Sequence, residues 1–412
     1  MKGNDGWREV AFEAAVGRLC QLRRQLGARL GSSYKASQEG ARSSTRKPTG
    51  TEVAELYGSE EAHEGGALFA FVGSDDGNES ALPEALDACH AFFKFADQES
   101  SVVLTHGYDL LGKGAYSDVY RGTLCVPAVN GVARYDVAVK LSRLHIDSVA
   151  EVDRWMRLVQ LWQSLAHPCL AYCYYVGFPP LEGDEEDTSV YSAHEIALGG
   201  TLDASLKREE RFSEDVVRAI LLDLLQGLCY LHGEVGVVHN DIKPHNILLV
   251  DEASRQVRYK LADFDLSYPI TSSSSEMGLT TGPAVDGSGR EADELTYGTP
   301  PYMSPESCRG LPFLPSNDIW SVGILVYQLS TGRLPWNPLE LCVPSMILHG
   351  YRRGSSNRFR PMLEEFEKDV CRVYSEQLKD LVRICLAEEV SKRPTAAALL
   401  RHPFLRRSER EI

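Results

Sequence analysis

The stretch VVHNDIKPHNILL, residues 237–249, sets His239, Asp241, Lys243 and Asn246 between two apolar runs. Polar side chains are seldom enclosed without a task, because each must find a partner or lose free energy. Upstream lies a long apolar helical pattern, SEDVVRAILLDLLQGLCYLH. Downstream, after a short turn, VRYKLADFDLS reads as a strand that ends at Asp263. Asn246 and Asp263 thus come at the ends of paired strands, where their oxygens suit one or two hard cations such as Mg2+. Asp241 stands where an incoming hydroxyl would be oriented and deprotonated, and Lys243 suits a phosphate in transfer.

Working outward, LLGKGAYSDVY, residues 110–120, places Gly112 and Gly114 in a strand–turn–strand pattern. Such a turn lets backbone N–H groups fold over a polyphosphate with no side chain in the way. A lone G-x-G is weak evidence. It gains weight from DVAVK, which puts Lys140 at the end of an apolar strand 26 residues after Gly114. From about residue 101 to 198 short β-branched runs alternate with Gly-rich turns, as in a small antiparallel sheet. Beyond residue 198, long helical patterns dominate, NDIWSVGILVYQLSTG and SEQLKDLVRICLAEEV among them. A strand-rich unit followed by a helix-rich unit implies two lobes.

These motifs, in this order, resemble the eukaryotic protein kinase family of serine/threonine type, over about residues 101–406. The resemblance implies an α+β, bilobal protein kinase fold: a small antiparallel-sheet N-lobe (101–198) with one main helix, a larger helical C-lobe (199–406), and a tail (407–412). It implies ATP and Mg2+ as cofactors and proteins as substrates. The loop residues Leu111, Gly112, Lys113, Gly114, Ala115, Tyr116, Ser117, Asp118 and Val119 would then cover ATP. Lys140 would contact the α and β phosphates, and Ala138 would pack on adenine. In YSAHEIALGG, His194 aligns with the gatekeeper, and the backbones of Glu195 and Ala197 align with the adenine-binding hinge. Asp241 would be the catalytic base, and Asn246 and Asp263 would hold Mg2+. Lys243, in a D-x-K-P-x-N setting, resembles serine/threonine rather than tyrosine kinases. In YGTPPYMSPE, Thr299 would bond toward Asp241 and Lys243. Glu306 would pair with Arg393 of KRPT, and Asp318 would brace the catalytic loop.

Four positions depart from the family pattern. Asn240 replaces the Arg of H-R-D, which normally meets a phosphate on the activation segment. Asp265 replaces the Gly of D-F-G, so restricted flipping of that triplet is expected. Ser117 replaces the third loop glycine, a mild change. The fourth concerns a helix Glu that pairs with the strand Lys in this family, ten residues before the Pro of an H-P turn. Counted back from Pro168, that position is Leu158. Glu151, seven residues further back, is ~10.5 Å away along a helix and too distant to substitute without a two-turn shift. Either another carboxylate serves Lys140 or phosphate positioning suffers. Leu158 and Asp265 therefore leave an alternative open: a pseudokinase acting as a nucleotide-binding or protein-binding scaffold.

The remaining segments are less informative. Residues 7–30 place Phe12, Val16, Leu19, Leu22, Leu26 and Leu30 at steps of three and four, with arginines on the other faces. This basic amphipathic helix (1–30) reads as a docking helix, a membrane-surface contact, an organelle-targeting segment or a helix packed on its own domain. Residues 31–65 read as a disordered linker. Residues 66–100 are an uncertain lead-in in which LPEALDACHAFFKFA suggests a helix. The insert TSSSSEMGLTTGPAVDGSGREADE between Asp263 and Glu306 reads as a solvated loop. Ser272–Ser275, Thr280 and Thr281 are the alternative phosphosites, weakened by the lack of Arg at 240.

Composition narrows the classes. The net charge of −15 argues against a nucleic-acid partner, which needs a basic face. The ten cysteines show no metal or redox spacing and read as reduced thiols. No apolar run approaches the ~20 residues that span a bilayer, and the N-terminus lacks a secretory core. The chain reads as soluble, intracellular and cytoplasmic, with no transmembrane segment.

Overall fold

The computed structural model describes residues 6–43, 93–97, 102–114, 117–128, 131–145, 149–178, 187–250, 259–270, 298–309, 313–335, 366 and 373–406. The alternating Val and polar positions predicted to form strands build one antiparallel sheet. Its strands are β1 (Phe93–Asp97), β2 (Val102–Lys113), β3 (Ser117–Ala128), β4 (Gly131–His145), β5 (Cys173–Gly177) and β6 (Asp187–Glu195), in the order β1-β2-β3-β4-β6-β5. Val137 and Val139 of β4 are buried with Leu104, Leu124, Tyr175 and Ala193 on one face. The period of two sends Ala138 and Lys140 to the other face. Register completes that second face: Val119 lies opposite Lys140, and Ala138 lies opposite His194.

Two long helices flank the sheet, α1 (Gly6–Ser43) and α2 (Val149–Ser164). The apolar stripe of α1 is already covered within the chain. Phe12, Ala15, Leu19 and Leu22 are buried in one cluster with Val152, Trp155, Leu158 and Trp162 of α2, while Ala11 joins the sheet's cluster. Arg8 donates to the carbonyls of Trp162 (3.2 Å), Gln163 (3.3 Å) and Cys173 (3.1 Å), capping the otherwise unsatisfied end of α2. Its guanidinium also lies over the rings of Phe12 and Tyr172, and Arg23 pairs with Asp153 at 2.6 Å.

Of the readings of residues 1–30, this packing of Phe12–Leu22 against α2 and β5 favours a helix packed on its own domain. The helix also runs to Ser43, beyond Leu30 where a disordered linker was expected. Within the stretch expected to be helical, Phe93–Asp97 is an edge strand paired with β2. Residues 44–92, the activation-segment insert with Ser272–Ser275, Thr280 and Thr281, and the tail lie outside the described residues. If α1 is an integral layer, Phe12→Ala should lower the unfolding free energy by about 3–5 kcal/mol. Urea unfolding checks this; an unchanged midpoint would show that α1 does not pack there.

The second lobe is helical. It contains α3 (Leu202–Glu209), α4 (Glu214–Tyr230, continued by a wider turn to Val235), α5 (Pro315–Thr331), α6 (Glu376–Cys385) and α7 (Ala396–Leu399). Val217, Ile220, Leu221, Leu224, Leu225 and Leu228 of α4 recur at helical spacing and are buried. Contrary to expectation, Glu214–Val235 is long and apolar enough to cross a membrane by length and composition, yet its apolar face packs into the lobe's own core. Helix α5 is buried nearly all round and ends at Gly332, whose φ of +75° is glycine's territory. A Cβ there would collide with the carbonyl oxygen of Glu210. Four short strands, β7 (Val237–Val238), β8 (Ile247–Leu249), β9 (Tyr259–Leu261) and β10 (Tyr268–Pro269), lie where the lobes meet. Here β7 pairs with β10, and β8 with β9.

Candidate active site

Strands β7 and β8 hold residues 239–246 between them as a rigid loop. Asp318, fully buried at the start of α5, is its brace. Its Oδ2 accepts from the His239 N–H (2.8 Å) and lies 2.8 Å from His232 Nε2, and its Oδ1 accepts from the Asn240 N–H (2.9 Å). The His239 ring is buried, with Nε2 3.1 Å from the Ala262 carbonyl oxygen and an edge-to-face contact with Phe264. These bonds fix Asp241 from both sides of the chain.

Asp241 is 6% exposed, and both its oxygens are engaged. Oδ2 accepts from Lys243 Nζ (2.7 Å) and Asn246 Nδ2 (2.9 Å). Oδ1 accepts from the Thr299 hydroxyl (2.6 Å) and backbone N–H (3.1 Å). Lys243 also donates to Thr299 Oγ1 at 2.7 Å, so Thr299 meets both groups. The approach of Thr299 depends on Gly298, which has φ +119°; a Cβ there would lie 2.9 Å from the Asn240 carbonyl oxygen. A carboxylate beside an ammonium, at a point where a segment from elsewhere in the chain arrives, can orient a hydroxyl and take its proton.

On the sheet side, Lys140 is 8% exposed, and its Nζ donates to Asp263 Oδ1 and to Asp265 Oδ2, each at 2.7 Å. Burial works against the ammonium, but Asp265 and Asp263 outweigh it and hold its pKa above the usual lysine value. Burial likewise opposes ionisation of Asp263, yet Lys140 prevails and holds that carboxyl below its ordinary range. Asp265 is pushed upward, first by burial and then by its neighbour Asp263, against the pull of Lys140.

The donor set fits Mg2+. Asn246 spends its amide on the Asp241 carbonyl (2.8 Å) and carboxylate, which leaves its oxygen to ligate, and Asp263 adds a partly exposed carboxylate. Two hard oxygen donors, with the rest left to water and phosphate, are what Mg2+ takes. Among the described residues no cluster of three His, Cys, Asp or Glu forms a closed cage.

The chain matches the protein kinase domain family over residues 106–405. It belongs to the protein kinase family. Mitogen-activated protein kinase kinase kinase ANP1 of Arabidopsis thaliana is 30% identical over 309 residues, 73% of this chain and 40% of the relative. Mitogen-activated protein kinase kinase kinase 19 of Mus musculus is 29% identical over 319 residues, 77% of this chain and 21% of the relative. MAP kinase kinase MKK1/SSP32 of Saccharomyces cerevisiae is 31% identical over 240 residues, 57% of this chain and 42% of the relative. The chain thus spans well under half the length of these relatives.

Within this kinase fold, Gly112 and Gly114 sit at the β2–β3 turn, with the Gly114 N–H donating to the Ser117 carbonyl at 2.7 Å. Lys113 lies opposite Asp118, Gly112 lies opposite Val119, and Leu111 is largely exposed. Ala115 and Tyr116 lie outside the described residues. Val119, Ala138, Lys140 and His194 share the cleft face of the sheet. Glu195 ties the end of β6 to β9: its carboxylate accepts from Lys260 Nζ at 2.6 and 2.7 Å, and its N–H donates to the Tyr172 carbonyl at 2.8 Å. Lys260 was not evident as a functional residue in the sequence, where it is one of several strand lysines. The N–H of Gly200 donates to the Ala197 carbonyl at 3.1 Å, shaping the turn after β6.

His194 packs edge-on against Trp162, with Nε2 2.8 Å from Ser192 Oγ. Burial, aided by nearby Lys140, lowers its pKa from 6.5 to about 3. Between those values the unfolded chain binds a proton that the folded chain does not. The stabilisation is therefore complete above the unfolded value and declines as pH falls, by about 1.4 kcal/mol per pH unit. The stability of wild type relative to His194→Leu should fall by about 2 kcal/mol between pH 7 and pH 5. Urea unfolding at the two pH values measures it; a constant difference would contradict the neutral imidazole.

The departures acquire physical content. Asn240 adopts φ +66°, a conformation Asn tolerates well, and its Nδ2 donates to the Leu266 carbonyl at 3.1 Å. The residue in place of the family's Arg thus tethers the root of the activation segment directly. Leu158 is buried in the apolar cluster with Phe12 and Trp162. Asp265 meets Lys140, and Arg154 of α2 donates from Nη2 to the Asp265 carbonyl at 3.1 Å. Nothing in the sequence singled out Arg154, which lies one helical turn before Leu158.

Proposed function

We propose that the chain is a serine/threonine protein kinase that transfers the γ-phosphoryl group of ATP to protein hydroxyls with Mg2+. The observation that carries this reading is Asp241 held by Lys243, Asn246 and Thr299 within hydrogen-bonding distance. In that reaction the acceptor oxygen bonds to the γ-phosphorus as the bond to the β–γ bridging oxygen breaks, and ADP leaves. Asp241 receives the hydroxyl proton, and Lys243 offsets charge on the transferring group. Mg2+, when bound, would neutralise phosphate charge, with Asn246 and Asp263 the residues to hold it.

The glycine turn, Val119, Ala138 and Lys140 would bind the nucleotide, with His194 and the backbones of Glu195 and Ala197 along its adenine edge. Lys243 bonded to Thr299 favours Ser or Thr acceptors over Tyr, and the names of the relatives favour protein acceptors. The scaffold alternative is not favoured, since Lys140 has carboxylate partners and Asp241, Lys243 and Asn246 are all in contact. Cys169, Cys173 and Cys385 are buried thiols outside any disulfide among the described residues, which supports a reducing compartment such as the cytoplasm.

The test offers Mg2+-ATP with peptide pools that differ only in a Ser, Thr or Tyr acceptor. Phosphate on Ser or Thr is expected; phosphate confined to Tyr would refute the specificity.

A further inference from the structure

We propose that Asp265 is the positioning residue for Lys140, supplied by the activation segment because α2 offers no carboxylate. Leu158 is buried in an apolar cluster. The two acids of α2 are both committed elsewhere: Glu151 to Arg154 at 2.9 Å and Asp153 to Arg23 at 2.6 Å. Asp265 Oδ2 instead lies 2.7 Å from Lys140 Nζ. Its other oxygen, Oδ1, is enclosed, and among the described residues Lys140 is the one side-chain donor to this carboxylate. Asp263 also touches Lys140, but Asp263 is the residue that would hold Mg2+. Asp265 is the partner with no second duty.

The helix still reaches Lys140, but through a relay. Glu151 holds the Arg154 guanidinium, Arg154 holds the Asp265 carbonyl, and the Asp265 carboxylate holds the ammonium. Three residues on from Asp263 the segment is fixed again, at Leu266, by the Asn240 amide. The Lys140 ammonium is therefore set by residues 263–266. A rearrangement of this triplet would break both carboxylate pairs of Lys140 together, which couples nucleotide binding to the order of the activation-segment root. This inference rests on the kinase reading of the cleft.

The test is a double-variant cycle of Asp265→Asn with Lys140→Met, read as ATP and ADP dissociation constants in Mg2+ and in EDTA. The KM and kcat of the Asp265 variant are measured beside them. Asp265→Asn is near-isosteric, and its melting curve confirms folding; Arg154→Leu is the second probe and leaves the carboxylate in place. Asp265→Asn should weaken nucleotide binding by about tenfold with or without metal, mainly in KM rather than kcat. In the Lys140→Met background the same change should alter binding by less than about twofold. Arg154→Leu should weaken binding in the same direction by about threefold. Wild-type affinity in both the Asp265 and Arg154 variants, or an undiminished Asp265→Asn effect without Lys140, overturns the proposal. A wild-type chain that binds no nucleotide refutes the kinase reading itself, a distinct outcome.

Discussion

Asp241→Asn should lower kcat by about 10³-fold while leaving the ATP dissociation constant within about twofold of wild type. The amide can still accept a bond from the incoming hydroxyl but cannot take its proton, so orientation survives and base catalysis does not. The separation of effects follows from position: Asp241 contacts Lys243, Asn246 and Thr299, whereas the groups proposed for adenine and phosphates lie on the sheet. The substitution also turns an NH2 toward existing donors, since both oxygens now accept. Stability should therefore fall by about 1–3 kcal/mol. Steady-state kinetics, nucleotide titration and urea unfolding read the three quantities separately. A kcat equal to wild type would show that the base lies elsewhere.

Glu306→Ala should destabilise the helical lobe by about 3–5 kcal/mol, close to the whole margin of many domains. Both charges are buried: Arg393 meets Glu306 through both terminal nitrogens, with Nη2 to Oε2 at 2.9 Å. Arg393 also donates to the carbonyls of Ala387 (2.8 Å) and Ser316 (3.2 Å) and lies over the Trp320 ring. Removing the carboxylate strands a cation fixed in place by other bonds, so it cannot swing to water. The double replacement Glu306→Leu with Arg393→Met should recover part of the loss, because neither charge is then left alone. Urea midpoints of the single and double variants decide it. A single variant as stable as wild type would mean that the pair is solvated.

The parts legible in the sequence share one property: their chemistry is packed into short stretches. His239, Asp241, Lys243 and Asn246 fall within eight residues, so local strand and turn structure alone sets them side by side. Ala138 and Lys140 fall on one face of β4 because strand periodicity is fixed at two. Longer-range facts were not written locally. The partner of Lys140 is 125 residues away and is the very residue that looked like a defect. The stripe of α1 announced an apolar face without saying what covers it, and α2 proved to be the cover. FFKFA is a short apolar run with one Lys, equally at home on a helix or an edge strand, and pairing with β2 settled it as strand. Asn240 was legible as the loss of an Arg, but not as a tether to Leu266.

The most direct test of the central claim is a time course of γ-phosphate transfer from labelled ATP and Mg2+ to a generic basic protein, with wild type and Asp241→Asn measured side by side. The active-site account predicts label on Ser or Thr in the wild type and its near disappearance in the variant, both proteins being folded. No transfer by folded, nucleotide-binding wild type would contradict it.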